Sequence, residues 1–116
     1  MKKKVFCFDL DNVICNTNKN FYKSSKPKKK AIKLINNLYK EGHYIKIFTA
    51  RYMGRSKDNK LKASKFGLKL TKKQLKLWKI QYHKLIMGKP SYDLFIDDKA
   101  YGYSSDWVKD LEKKYL

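Results

Sequence analysis

The sequence predicts a single α/β domain in which a central parallel β-sheet lies between two layers of helices. Short apolar runs of strand length alternate along the chain with longer stretches of helical period. The 116 residues, of which 42% are hydrophobic and 15% aromatic, suffice for one packed core without disulfide bonds. We therefore expect residues 1–116 to form one domain without repeats or an interdomain linker.

Four short apolar runs bounded by polar residues are predicted to be buried strands. They are Val5–Phe8, Tyr44–Phe48, Lys84–Met87 and Leu94–Ile96. Because helical stretches separate them, the strands should run parallel and be joined by right-handed crossovers. Side chains at the carboxyl ends of such strands meet at one edge of the sheet, where ligands bind.

Helical spacing of apolar residues predicts three helices. The first should begin near Pro27, end at Gly42, and bury Ala31, Leu34, Ile35 and Leu38. The second should begin at Thr71, with Gln74 in a capping box and with Leu75, Trp78 and Tyr82 at helical spacing. The last should open near Ser104 or Ser105 and bury Trp107 or Val108, with Leu111 and Tyr115. The polar, lysine-rich residues 52–70 are expected to form a short helix or a loop beside the site.

The chain is strongly basic, with a net charge of +19 and 29 basic residues, of which Arg51 and Arg55 alone are arginines. Such a surface can steer anionic partners toward the protein. Lysine is, however, a solvated point charge without the bidentate fork that arginine offers to nucleic acid. Because the lysines are scattered along the chain, we favour biased amino-acid usage over a binding surface.

Neither the cysteines nor the histidines form a metal or redox motif. Cys7 and Cys15 lack the spacing of such motifs, and His43 and His83 each precede an apolar run, so both histidines are interpreted as structural. The apolar run near the N-terminus is too short for a signal peptide, and no segment approaches transmembrane length. These features predict a cytoplasmic protein that does not bind membranes.

Four of the ten acidic residues follow two of the predicted strands. Asp9 and Asp11 come after VFCF, and Asp97 and Asp98 come after LFI. Carboxylates gathered at one edge of a sheet repel one another unless a cation neutralises them, and Mg²⁺ prefers oxygen ligands of this kind. The alternative, that these aspartates cap turns and helix starts, is weakened by the presence of two pairs in equivalent places.

Two further polar residues end predicted strands. Thr49 closes the run YIKIF, and Lys89 follows KLIMG. A hydroxyl and an ammonium at that edge are suited to hold the oxygens of a phosphoryl group during transfer. The alternatives are a helix N-cap for Thr49 and a solvated surface position for Lys89.

The motifs FDLDNV at 8–13, Thr49 in IFTAR, Lys89 in GKP and the pair Asp97 and Asp98 resemble, in order, the four motifs of the haloacid dehalogenase superfamily. FTARYMGR, GKP and FIDDKA are further similar to the small phosphatases of bacterial capsule and surface-polysaccharide biosynthesis. Asn12 departs from the glycine common in the first motif, and Phe48 from the histidine that often precedes TAR. The resemblance implies a Rossmann-like three-layer sandwich without a cap domain.

The resemblance also implies roles for these residues. Asp9 would be the nucleophile that forms an aspartyl-phosphate, and Asp11 the general acid and base. Mg²⁺ would be held by Asp9, the backbone carbonyl of Asp11 and Asp97, with Asp98 adjacent or acting through water. Thr49 and Lys89 would stabilise the transferring group. Arg51 would meet a second substrate group, or alternatively be a surface charge.

Three functions are compatible with the sequence. The favoured one is a Mg²⁺-dependent phosphatase for a sugar phosphate or a related small metabolite in surface-polysaccharide biosynthesis. The second is the same chemistry on nucleotides or polynucleotide ends, with the lysines as a track for the polyanion. The third, a nucleic-acid-binding module without catalysis, ranks last because the full catalytic set is present.

Overall fold

The fold is built on a sheet of three parallel strands. The computed structural model describes residues 2–54 and 56–116. In chain order its elements are β1 (Val5–Asp9), β2 (Cys15–Asn16), a 3₁₀ turn (Tyr22–Ser24), β3 (Lys26–Pro27), α1 (Lys29–Lys40), β4 (Tyr44–Thr49), α2 (Lys60–Leu77), β5 (Lys84–Met87) and α3 (Trp107–Tyr115). The strand order β1-β4-β5 confirms the predicted parallel sheet and three of the four predicted strands.

The helices cover one face of this sheet, so the structure has two layers rather than the three expected. Phe8 of β1 lies opposite Ile47 of β4, and both join one core cluster with Leu34 of α1, Leu75 of α2 and Trp107 of α3. Residues on the other face, including Val5 and Cys7, are exposed. Because the strand order advances in one direction, right-handed crossovers place both connecting helices on the same face.

The predicted strand Leu94–Ile96 is wrong. Residues 88–106 contain neither strand nor helix in the part of the chain described, and Leu94 and Ile96 are 77% and 88% exposed. Between these two residues, the ring of Phe95 packs on Tyr92 with the centroids 4.9 Å apart. A strand there would have reversed the strand order and moved the next helix to the open face.

The first predicted helix is confirmed, with its start two residues after Pro27. α1 turns a continuous apolar face toward the sheet. It ends where Gly42 adopts a positive φ of 94°, a conformation that glycine accepts without steric cost. The buried residues of α1 are Ala31, Ile32, Leu34, Ile35 and Leu38.

The second helix is longer than the sequence pattern indicated. α2 begins at Lys60, eleven residues before the predicted start at Thr71. The N-cap is Asn59, whose side chain accepts a hydrogen bond from the backbone N–H of Lys62. Gln74 is therefore buried in mid-helix and is not part of a capping box.

None of the helices among the described residues has both the length and the apolar character needed to cross a bilayer.

The last helix and both histidines have the structural roles predicted. Trp107, at the start of α3, is buried with its ring centroid 6.0 Å from that of Phe8. Nδ1 of His43 accepts a hydrogen bond from the backbone N–H of Lys4, and burial lowers the pKa of this imidazole. Nδ1 of His83 accepts one from the backbone N–H of Ile45. The imidazoles thus satisfy backbone donors at the start of β1 and β4.

Gly67 of α2 provides a notch for the ring of Tyr52. A Cβ at Gly67 would lie 2.4 Å from Cδ2 of Tyr52. Tyr52 itself has a positive φ of 65°, which is uncommon for an aromatic residue. Close packing against α2 therefore holds Tyr52, in the loop after β4, in a backbone conformation that would be unfavourable without this contact.

We expect Gly67→Ala to lower the free energy of unfolding by about 1 kcal/mol or more, although alanine favours helices. The reason is the clash with Tyr52, which denaturant unfolding would detect. Gly102→Ala is the matched control, because no described atom lies within 4 Å of its Cβ position. Equal effects of the two substitutions would contradict the role assigned to the notch.

Candidate active site

The ends of the three parallel strands bring together polar residues from distant parts of the sequence. Asp9 is the last residue of β1 and Thr49 the last residue of β4. Lys89 follows β5 after Gly88, whose positive φ of 95° turns the chain. The backbone N–H of Lys89 donates to the carbonyl of Thr49 at 3.0 Å. These sequence-predicted residues therefore share one edge, although Thr49 is fully buried.

The carboxylate of Asp9 is only partly compensated. Its Oδ2 lies 3.6 Å from Nζ of Lys89, and its Oδ1 accepts a hydrogen bond from the backbone N–H of Leu10 at 2.9 Å. Burial raises the pKa of Asp9, and the charge of Asp11 adds to that effect, while Lys89 and the Leu10 N–H oppose it. The side chain is still 37% exposed, so an external group can reach it.

Lys89 is held between Asp9 and two aromatic rings. Its Nζ lies 5.2 Å from the ring centroid of Tyr92 and 5.3 Å from that of Phe95. Burial opposes the charge, but the contacts with Tyr92 and Asp9 outweigh it and raise the pKa of Lys89. Neither aromatic neighbour was predicted from the sequence, since Phe95 lies within the predicted strand Leu94–Ile96 and no motif marks Tyr92.

Asp11, whose side chain is 20% exposed, forms an ion pair with the fully buried Arg51. Nε of Arg51 donates to both carboxylate oxygens, at 3.2 Å and 3.0 Å, and Nη2 donates to Oδ1 at 3.0 Å. Arg51 is 1% exposed, so its interpretation as a surface charge is wrong. A bidentate contact of this kind fixes both the position and the orientation of the carboxylate.

The remaining donors of Arg51 are also engaged by the protein. Nη2 reaches the hydroxyl of Ser25 at 3.3 Å, while Nη1 donates to the hydroxyl of Thr71 at 3.3 Å and to Oε1 of Gln74. The guanidinium carbon lies 5.0 Å from the ring centroid of Tyr22. With these contacts, Arg51 holds Asp11 in position, and the substrate contact expected from the sequence stays a prediction.

The β2–β3 hairpin supplies the other contacts to Asp11. The hydroxyl of Thr17 donates to Oδ1 of Asp11 at 2.5 Å and lies 2.6 Å from the hydroxyl of Ser25. The thiol of Cys15 approaches the same oxygen at 3.6 Å, and burial raises the pKa of this thiol. No motif or spacing marked Thr17 or Ser25 in the sequence, because the hairpin brings them to Asp11 only in three dimensions.

Asn12 adopts the left-handed conformation that its place after Asp11 requires. Its φ is 66°, and asparagine is among the residues that tolerate this region best. Its Oδ1 accepts the backbone N–H of Thr17 at 3.1 Å. The departure from glycine in the motif is therefore accommodated by local hydrogen bonding.

The structure does not bring all four predicted carboxylates together. Asp97 and Asp98 are exposed within residues 88–106, and Oδ1 of Asp97 accepts the backbone N–H of Lys99 at 2.9 Å. Among residues 2–54 and 56–116, no three His, Cys, Asp or Glu side chains are grouped so that they could hold one metal ion. Burial raises the pKa of the Cys7 thiol on β1, and the charges of Asp9 and, to a smaller extent, Asp97 add to that effect. The predicted convergence fails because residues 94–96 do not extend the sheet.

Removing Arg51 should destabilise the protein much more than removing Lys89. Arg51→Met leaves the partly buried charge of Asp11 unpaired, for which we expect a loss of about 3 kcal/mol in the free energy of unfolding, measured with denaturant. Adding Asp11→Asn should recover about 1 kcal/mol or more, because the unpaired charge is gone. Lys89→Met is the control. It leaves Asp9, which is already 37% exposed, without its lysine partner, and it should lower the free energy of unfolding clearly less. Equal losses for the two single variants would argue against the positioning role.

Asp9→Asn should raise the thermal unfolding temperature at pH 7. A carboxyl pKa raised above the unfolded value of 3.8 means that the ionised form is disfavoured in the folded state. The contribution of Asp9 to stability is therefore greatest below that unfolded value and is lost as pH rises through the folded pKa. The advantage of the asparagine variant should accordingly shrink on acidification. A less stable Asp9→Asn variant at pH 7, or an advantage of that variant that grows on acidification, would contradict the assignment.

Comparison with known proteins supports the fold. The crystal structure of a target protein from Vibrio cholerae matches with a TM-score of 0.78 and 24% sequence identity, over 99% of this chain and 100% of that one. At this identity the similarity concerns the fold alone. No protein-family model matches the chain, and the comparison with curated proteins gave no match.

Proposed function

We propose that this protein is a capless phosphatase of the haloacid dehalogenase type that hydrolyses phosphomonoesters through Asp9. The observation that supports this most directly is the arrangement at the carboxyl edge of the sheet. Asp9 and Lys89 form an ion pair there, and Asp11 lies two residues beyond Asp9, oriented by Arg51. The order of the four sequence motifs adds to this support.

In the first step, Oδ of Asp9 attacks phosphorus in line with the leaving oxygen. The new O–P bond forms as the ester bond breaks, and the leaving oxygen takes a proton from Asp11. Asp11 enters this step protonated and pairs with Arg51 as a carboxylate once the proton has left. Lys89 is placed to neutralise charge on the phosphoryl oxygens, because its ammonium already lies 3.6 Å from Asp9. The aromatic rings beside Lys89 limit its side-chain freedom and keep the charge in place.

In the second step, water attacks the aspartyl-phosphate and releases inorganic phosphate. Asp11 is now ionised and accepts a proton from this water, which restores the acid for the next cycle. The contacts from Arg51 and Thr17 hold the carboxylate in position for this transfer. The two aspartates thus divide the chemistry, with Asp9 bonding to phosphorus and Asp11 moving the proton.

The proposed phosphatase activity depends on Mg²⁺. The expected ligands are Asp9, the carbonyl of Asp11, Asp97 and Asp98. These are oxygen donors of the type that Mg²⁺ prefers, but Asp97 and Asp98 are not grouped with the others in the described structure. In both steps, bonding to phosphorus, proton transfer and charge neutralisation are therefore assigned to side chains of the protein. The raised pKa of Asp9 shows that one lysine does not fully offset burial of its charge.

The proposed substrate is a phosphorylated sugar or a similar small metabolite used in surface-polysaccharide biosynthesis, in the cytoplasm. Support for this class comes from the TAR, GKP and DDKA motifs. Arg55, the last residue of FTARYMGR, lies outside the described residues. The β2–β3 hairpin and residues 88–106 border the carboxyl edge of the sheet, and specificity is expected there because the chain has no segment long enough for a cap domain.

We expect phosphate release from a panel of sugar phosphates, nucleotides and phosphorylated oligonucleotides that requires Mg²⁺ and is abolished by chelation. Asp9→Asn should lower kcat by at least about a thousandfold, and Asp11→Asn by about a hundredfold to ten-thousandfold. Asp106→Asn, the same exchange at the start of α3, is the matched control and should retain full activity.

The expected stability of Asp9→Asn separates a loss of catalysis from a loss of folded protein. Because this variant is expected to unfold at a higher temperature than the wild type, lost activity cannot be attributed to unfolding. Trapping of a phosphorylated wild-type protein that is absent in Asp9→Asn would locate the intermediate. Undiminished turnover by Asp9→Asn would refute the mechanism, and no release from any compound would count against the proposed substrates.

A further inference from the structure

The exposed side of α2 carries six lysines in a continuous array. Their spacing of three or four residues keeps them on the side of the helix opposite the buried residues Ala63, Thr71 and Leu75. At 1.5 Å per residue the array is about 21 Å long. We call it the basic face of α2, and its exposed members are Lys62, Lys65, Lys69, Lys72, Lys73 and Lys76.

Nothing within the described protein neutralises this face. The sequence has no acidic residue between Asp58 and Asp93. The ion pairs among residues 2–54 and 56–116 are Asp11–Arg51 and Asp9–Lys89, neither of which involves α2. Lysines three or four residues apart on a helix repel one another, so the array costs helix stability. The need to fold therefore does not explain it.

The basic lysines of α3 provide a contrast within the same molecule. Asp110 and Glu112 are interleaved with Lys109, Lys113 and Lys114 on that helix. Opposite charges so close together weaken the field that a distant anion feels. The positive charge of α3 is thus balanced within the helix, whereas α2, like the shorter α1, contains no acidic residue, and α2 carries the longer array of lysines.

We propose that the basic face of α2 binds the phosphate backbone of single-stranded nucleic acid without sequence preference. Lysine ammoniums neutralise successive phosphates, but lack the planar fork that reads bases. Phe66, 56% exposed beside the array, offers a ring on which a base can stack. A membrane surface fits less well, because the apolar side of α2 is buried in the core and only isolated apolar residues face solvent.

The basic face begins near the carboxyl edge of the sheet. The side chain of Lys60, at the start of α2, packs against Gly88, where a Cβ would lie 2.6 Å from Cγ of Lys60. Gly88 directly precedes Lys89 of the candidate site. A single strand of nucleic acid bound along α2 therefore runs toward Asp9. The binding itself does not depend on the proposed catalytic function.

The test measures the affinity of a labelled 20-nucleotide oligothymidylate by fluorescence anisotropy between 50 and 300 mM NaCl. Six lysine contacts predict a slope of about −4 for log affinity against log salt. The variant Lys65→Gln/Lys69→Gln/Lys72→Gln should reduce that slope by about two and weaken binding about 100-fold at 0.1 M salt. Glutamine has nearly the helix propensity of lysine, so the helix should persist in circular dichroism spectra.

The matched control is Lys109→Gln/Lys113→Gln/Lys114→Gln, which removes the same charge from α3. It should change affinity by less than about threefold, because acidic neighbours already balance those lysines. Equal loss in both triple variants would overturn the proposal, since it would show an effect of net charge alone. So would a wild-type protein that does not bind the oligonucleotide at 150 mM NaCl.

Three further measurements define the ligand and its independence from catalysis. Phe66→Ala should weaken binding about fivefold or more with an unchanged salt slope, whereas Leu61→Ala should not. Asp9→Asn should bind as the wild type does, whether or not the phosphatase proposal holds. Equally tight binding to phosphatidylserine vesicles, lost in the same α2 variant, would contradict a nucleic-acid site and indicate a general anion-binding surface.

Discussion

The ion pair between Asp11 and Arg51 connects nearly every element that forms the site. Asp11 comes two residues after the end of β1, and Arg51 two residues after the end of β4. The guanidinium also binds Ser25 beside the hairpin and Thr71 within α2. Buried charges are tolerated only when their hydrogen-bonding groups are satisfied, so each of these segments is constrained by the same requirement. The positions of the strand ends, the hairpin and α2 therefore depend on one another.

Asp9 and Asp11, two residues apart, occupy contrasting environments. Asp11 is compensated by a bidentate arginine, a hydroxyl and a thiol, while Asp9 has a lysine at 3.6 Å and one backbone N–H. Burial therefore raises the pKa of Asp9. A group held with incomplete compensation interacts strongly with an incoming cation or phosphoryl group, whereas a fully compensated one is better suited to hold a fixed position. The division of roles between the two residues therefore rests on their order in the first motif, where Asp9 precedes Asp11, and on the fixed position of the Asp11 carboxylate.

Local sequence patterns predicted the elements whose contacts are local. The strands β1, β4 and β5 were recognised from apolar runs, and α1 and α3 from helical spacing, because burial imposes those patterns directly. The start of α2 was missed because its first half has exposed lysines and a glycine at the Tyr52 notch, which weaken the apolar signal. The role of Arg51 was not predictable, since its partners Ser25, Thr71 and Gln74 are brought together only by the fold.

The sequence alone also conceals how the lysines are distributed in space, because the fold decides which of them become neighbours. Lysines that are scattered along a sequence are not scattered in space when a helix repeats every 3.6 residues and buries the intervening positions. In α2 the core takes up the apolar residues, so the lysines collect on the remaining surface. The acidic residues lie elsewhere in the sequence: Asp9 and Asp11 follow β1, Glu41 follows α1, Asp58 precedes α2, and the other six lie in residues 93–112. Because charges of one sign separated in this way do not cancel, a polyanion experiences attraction to α2 over a distance set by ionic screening. Biased amino-acid usage would explain the abundance of lysine, but it would not explain the absence of acidic residues from the α2 sequence.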